Sequence, residues 1–136
     1  HPGGKLGKRL TLKVEDLMKK AKELPIVLPS DSLAETLIEI SSKGLGVALV
    51  IEKSDLKGIF TDGDLRRALN KKIDLLEAPI STLMSKKVKT VAYSALATEA
   101  ITIMQRNQIY SLVVLDQKKK AKGLIRMHDL VESGLV

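Results

Sequence analysis

The chain has no cysteine. That excludes a disulfide scaffold and a thiolate zinc site, and it suits a reducing cytoplasm. Aromatic residues make up only 2% of the 136 residues, with no tryptophan. The core must therefore be packed from Leu, Ile, Val, Ala and Met, and no array of rings is available on which single-stranded nucleic acid would stack. No apolar run approaches the roughly 18 residues that a membrane-spanning helix needs. The opening His1-Pro2-Gly3-Gly4-Lys5 has neither the apolar segment of a signal peptide nor an initiator Met, so the expectation is a fragment of a longer cytoplasmic protein. His1 and His128 are the only histidines, and neither stands in a pattern typical of a nucleophilic triad.

Two glycine motifs are incomplete. Gly3-Gly4-Lys5-Leu6-Gly7-Lys8-Arg9 is one residue short of a phosphate loop, has Arg9 where Ser or Thr is needed, and follows no strand. Gly44-Leu45-Gly46 lacks the third glycine of a dinucleotide fingerprint, since position 49 is Leu49. No catalytic site is legible, and no metal site is expected. What is abundant is positive charge, a net +7. It is carried mostly by lysines spread over linkers, helix ends and one hairpin, whereas base readout favours arginine on one element. A solvated basic surface is the expectation, with neither nucleic acid nor membrane as partner. Small anionic ligands remain compatible with it.

Hydrophobic residues reach 44%, and their arrangement is duplicated. Val14-Glu15-Asp16-Leu17-Met18 resembles Ile80-Ser81-Thr82-Leu83-Met84, Leu33 to Ile38 resembles Leu96 to Ile101, and Gly58 to Leu65 resembles Gly123 to Leu130. An offset of this length marks a duplicated subdomain, not a solenoid. In the first copy, Pro25 to Leu28 is a strand candidate. Ser30-Asp31-Ser32 caps a helix through Leu33, Leu37, Ile38 and Ile40, which Lys43-Gly44 ends. Val47 to Ile51 is a continuous, buried strand. Lys53-Ser54-Asp55 makes a turn, Gly58-Ile59-Phe60 begins the return strand, and Thr61-Asp62 opens a helix through Leu65, Ala68 and Leu69. The second copy repeats this with strands at Val88 to Val91, Ser111 to Leu115 and Gly123 to Ile125, and helices from Ser94 to Asn107 and from Met127. The expected fold is α/β (α+β): two β-α-β-β-α units, too small to stand singly, packed as a pseudo-twofold pair over residues 14–72 and 80–136 with a linker at 73–79.

Gly58-Ile59-Phe60-Thr61-Asp62-Gly63-Asp64 runs from a strand end into a helix start. Thr61 can donate to a phosphate or sugar oxygen, and Asp64 can accept hydrogen bonds from paired ribose hydroxyls. The same residues also suit plain helix capping, with Thr61 or Asp62 as cap and Asp64 as an ordinary first-turn acid. The spacing alone favours capping; its recurrence at Gly123 to Leu130 narrows the gap.

The duplicated D-[LI]-M start, the G-h-h-T-x-x-D-L segment and the β-α-β-β-α order resemble the CBS-domain family, whose tandem pairs are regulatory modules. The resemblance covers nearly all residues from Val14 onward. It implies that Thr61 and Asp64 hold the ribose and phosphate of an adenosine or other nucleotide, with Gly46, Val47 and Ala48 beside the base. The matching positions of the second copy are Arg126 and Asp129, with Tyr110 and Ser111. Arg126 departs from the family's Thr or Ser. It can still pair with a phosphate or carboxylate, so the two clefts are expected to differ.

Gly58 to Arg67, Met127-His128-Asp129-Leu130 and the ending Gly134-Leu135-Val136 are similar to the C-terminal CBS pair of bacterial D-arabinose 5-phosphate isomerases. That resemblance makes residues 1–13 the junction with a missing sugar isomerase domain and His1 a catalytic residue of the parent. The parent would interconvert D-ribulose 5-phosphate and D-arabinose 5-phosphate for synthesis of the lipopolysaccharide sugar Kdo, while this fragment would be inactive. The expected role is a regulatory module that requires no cofactor and binds CMP-Kdo or an adenine nucleotide. The alternative is a structural module that holds isomerase subunits together as a homo-oligomer. Ala68, Leu69, Ile101 and Met104 are candidates either for that interface or for the internal core.

Overall fold

A computed structural model describes residues 5–71 and 74–136. His1, and Lys72 and Ile73 of the linker, lie outside the described residues. In chain order, α1 (Lys5–Leu10) and the short α2 (Val14–Leu17) lead to β1 (Lys19–Lys20). A 3-10 turn at Ala21–Glu23 and β2 (Ile26–Val27) precede α3 (Leu33–Lys43). The hairpin of β3 (Ala48–Glu52) and β4 (Asp55–Phe60) enters α4 (Asp62–Ala68). Single turns at Leu75–Glu77 and Ile80–Thr82 then lead to β5 (Thr90–Ala92) and α5 (Ala97–Asn107). A second hairpin, β6 (Ser111–Leu115) with β7 (Ala121–Arg126), ends in α6 (Met127–Glu132).

Local chemistry explains most of these bounds. Ser32 caps α3 by accepting from the Glu35 amide at 3.1 Å, and Gly44 closes it at φ 72°, a left-handed conformation that costs glycine nothing. Three expectations are corrected. β4 begins at Asp55, not Gly58: Lys53 and Ser54 both have positive φ, so a two-residue turn suffices and Asp55 pairs with Glu52. α5 begins at Ala97, not Ser94, because Leu96 stays extended to bridge Lys13 and the Ala97 amide donates to the Leu12 carbonyl. The strand expected at Val88 to Val91 pairs as Thr90–Ala92, in parallel with Val113–Leu115.

The chain forms two compact units, and they divide it differently from the linear repeats. One gathers residues 23–88. The other gathers the described residues up to Lys22 together with residues 89–136. Each repeat's leading segment therefore packs with the hairpin of the other repeat. The physical reason lies on the outer strand of each hairpin, which presents unpaired backbone groups and a glycine. Lys19–Lys20 adds to β7 with Lys20 opposite Gly123, and Ser85 bridges Ile59 of β4.

In the unit of residues 23–88 the sheet order is β2-β3-β4, with β2 parallel and β4 antiparallel to β3. Its core joins Val27, Leu33, Ala48, Val50, Ala68, Ile80 and Leu83 around Phe60, the single phenylalanine. Along β3, Ala48, Leu49 and Val50 are all fully buried, as the continuous apolar run implies. In the other unit the order is β1-β7-β6-β5. Its core is wholly aliphatic, with Val14, Met18, Ala100, Met104, Leu112, Ile125 and Leu130 at its centre. Ala68 and Met104 are thus core residues and Ile101 packs against the core, whereas Leu69 is 64% exposed. Among the described residues no helix is long and apolar enough to cross a membrane.

Candidate functional site

The register of the first hairpin sets Ala48 opposite Phe60, so the start of β3 and the end of β4 share one end of the sheet. Gly46, Val47 and Ala48 are thereby placed at the same end as Thr61. Gly46 is exposed with φ 76°, while Val47 and Ala48 are buried. Thr61 is extended and sits at the N-cap position of α4.

Asp64, one turn into α4, is 3% exposed. Its carboxylate gathers four donors: the Thr61 amide at 2.9 Å and hydroxyl at 3.1 Å on one oxygen, the Arg67 guanidinium at 2.7 Å and the Ser85 hydroxyl on the other. Burial by itself would raise its pKa; the bonds from Ser85, Arg67 and Thr61 outweigh that and hold the carboxyl below its ordinary value. Asp64 is therefore a fixed anion that completes the helix cap. The capping role read from spacing is real, and it coexists with a carboxylate whose partners include two rotatable hydroxyls.

The second repeat builds the matching position with other groups. Ser111 lies opposite Arg126, and the Met127 amide donates to the Tyr110 carbonyl at 2.8 Å, which again joins the start of one strand to the end of the next. Asp129 is buried, and its carboxylate accepts from Arg126 three times: from the amide at 2.9 Å, from Nε at 3.2 Å and from Nη2 at 2.9 Å. The Lys19 ammonium stands 3.8 Å away. Tyr110 is 78% exposed and borders a pocket of about 450 Å³ lined also by Met104, Gln105, Gln108, Ile109 and Met127.

The structure thus brings Thr61 with Asp64, and Arg126 with Asp129, into direct contact. Sequence reasoning missed Ser85, Arg67 and Lys19. Ser85 and Lys19 each follow the methionine of the duplicated Leu-Met pair, Leu83-Met84 and Leu17-Met18. Matching the repeats one residue further would have flagged them as equivalent, though not as partners of Asp64 and Asp129. The methionines are held by the two hairpin glycines: a Cβ on Gly58 would meet Met84 and the Ser85 carbonyl, and one on Gly123 would meet Met18 and the Lys19 carbonyl. Among the described residues no group of three histidine, aspartate or glutamate side chains is placed to hold a metal ion.

The duplicated units agree with the comparisons. The CBS domain model matches residues 14–71 and again 80–135, and the chain belongs to the CBS-domain family. It is 48% identical over 137 residues, all of this chain, to a protein of Pseudomonas aeruginosa named arabinose 5-phosphate isomerase KdsD, of which it covers 42%. The protein of that name in Francisella tularensis is 42% identical over 97% of this chain and 40% of the relative. The chain therefore spans about two-fifths of the length of these relatives. Among solved structures, CBSX2 in complex with AMP superposes with a TM-score of 0.79 at 24% identity, over 91% of this chain and 96% of that one. That likeness shows the fold.

Proposed function

We propose that the chain is the regulatory, nucleotide-binding region of a D-arabinose 5-phosphate isomerase, and that Thr61 and Asp64 hold the ribose of the ligand. The chemistry of the parent, aldose–ketose conversion between D-ribulose 5-phosphate and D-arabinose 5-phosphate for Kdo and lipopolysaccharide synthesis, belongs to the part of the relatives that this chain does not cover. His1 enters that chemistry by resemblance alone. The fragment itself is expected to show no turnover.

The observation that carries the reading is the Asp64 cluster. A buried carboxylate held below its ordinary pKa offers acceptors for a vicinal diol, and the Thr61 and Ser85 hydroxyls can turn to accept or donate as the ligand requires. The start of β3 lies at the same sheet end to flank a base. Support for a nucleotide also comes from the AMP complex of the structurally similar CBSX2; CMP-Kdo is a candidate through the pathway that the family resemblance implies for the parent. Binding would act on the isomerase by favouring one arrangement of the region over another.

A structural role in holding isomerase subunits together is the second reading. It is favoured by Ile38, Leu69 and Leu76, which are 70%, 64% and 54% exposed within one unit. Calorimetric titration with CMP-Kdo, CMP, AMP and ATP separates the two. Binding of at least one of these, weakened about 100-fold in D64A by the loss of charge-assisted hydrogen bonds worth roughly 3 kcal/mol together, is the expected result. Unchanged affinity in D64A would refute the Thr61/Asp64 assignment, and silence from all four would favour the structural role.

A further inference from the structure

The two matched carboxylates are satisfied by donors of different kinds. Around Asp64, two of the four are hydroxyls, on Thr61 and Ser85. A third belongs to Arg67, whose side chain is 70% exposed. Hydroxyls rotate, and a surface guanidinium regains its hydration when released, so Asp64 can exchange these partners for the hydroxyls of a ribose while its backbone stays in place.

Among the described residues Asp129 has no hydroxyl partner: its bonds come from Arg126, with Lys19 beside it. The Arg126 side chain is only 19% exposed and sets two N–H groups, on Nε and Nη2, against the two carboxylate oxygens. A planar guanidinium bonded at two points has no spare rotation. Displacing it would strand a largely buried cation without its acceptor, which is the costly way to break such a pair. The guanidinium also fills the role a ligand would take, since two N–H groups on one rigid fork present to Asp129 what two adjacent hydroxyls of a ribose would present.

We infer that Arg126 is a specificity-determining residue that occupies the ribose position of the second repeat from within the chain, so that a nucleotide is bound by the first repeat alone. This rests on the nucleotide reading of Thr61 and Asp64. The pocket beside Tyr110 does not alter it, because neither Arg126 nor Asp129 lines that pocket.

Calorimetric titration with AMP, and separately with CMP-Kdo, tests this by stoichiometry. The wild-type chain should bind one nucleotide. R126T, which installs at this position the residue of the first repeat, should bind two, and D64A/R126T should bind one. Two sites in the wild type, or one in R126T, would overturn the inference and leave the Thr61/Asp64 reading standing. Absence of binding in both wild type and R126T would overturn both, since the substitution has to create a site. Should R126T fail to fold, the reciprocal T61R carries the test. Closing the first position in the same way should remove the wild-type site at an unchanged melting temperature, and undiminished binding would refute the proposed closure.

Discussion

Replacing Gly58 by alanine is the most exacting test of how the leading segment is seated. A Cβ at this position would stand 2.6 Å from Met84 Sδ, 2.9 Å from Met84 Cγ and 2.7 Å from the Ser85 carbonyl oxygen. The thioether can swing aside; the carbonyl is tied down. It accepts from the Ile59 amide at 2.9 Å while the Ser85 amide donates to the Ile59 carbonyl at 2.9 Å. The added methyl must therefore push the segment off the edge of β4. Overpacking of this kind costs about 1–3 kcal/mol, and weakening the two edge hydrogen bonds adds up to about 1 kcal/mol. At roughly 4 °C per kcal/mol for a chain of this size, G58A should melt about 4–16 °C below the wild type. Denaturant unfolding and thermal melting read the loss, and a second variant sharpens the test. Because one of the two obstacles is backbone, G58A/M84A should remain well below the wild type. A melting temperature for G58A within about 2 °C of the wild type, or full recovery in the double variant, would refute the reasoning.

Two further outcomes separate strain from contact and charge from shape. Gly44 ends α3 at φ 72° with nothing within 4 Å of a built Cβ, so G44A should cost only the left-handed strain, about 1–2 kcal/mol in denaturant unfolding, and should leave nucleotide affinity unchanged. Asp64 has its pKa depressed in the folded state, so its contribution is present above the unfolded value and is lost as pH falls through the folded one. The unfolding free energy of the wild type should fall on acidification below the ordinary carboxylate range, and D64N should lose part of that slope; an identical slope in D64N would refute the assignment.

Elements governed by local chemistry were legible in the sequence. Ser32 and Gly44 bound α3 as their residue types dictate, β6 runs from Ser111 to Leu115 as read, and the aliphatic composition foretold a core in which Phe60 is the lone ring. Boundaries failed where a long-range pairing overrode the local pattern. α5 starts three residues beyond Ser94 because Leu96 is held extended opposite Lys13 and the Ala97 amide donates to Leu12, just as Ser32 pairs with Pro79 and the Leu33 amide donates to Ala78 where α3 begins. Hydrophobic spacing carries no information about such a partner. The turn at Lys53-Ser54 was found but read one residue too long, because its positive φ values belong to residues that do not advertise them as asparagine and glycine would.

The candidate site was half legible for the same reason. Thr61 and Asp64 lie three apart on one helix start, a separation that sequence reading handles well. Ser85 lies 21 residues beyond Asp64, past the linker and in the repeat that linear division assigns to the other unit. It reaches Asp64 only because the leading segments cross over. That exchange sets the residue after each Leu-Met beside the carboxylate of the opposite repeat's helix. The two positions differ: a hydroxyl at Ser85 stands with Thr61, and a cation at Lys19 with Arg126. The first pairing leaves Asp64 with exchangeable partners, the second surrounds Asp129 with positive charge. The two repeats thus hold their carboxylates in unlike surroundings through residues at two matched positions, while Gly58 and Gly123 make the same close approach to the leading segment in both.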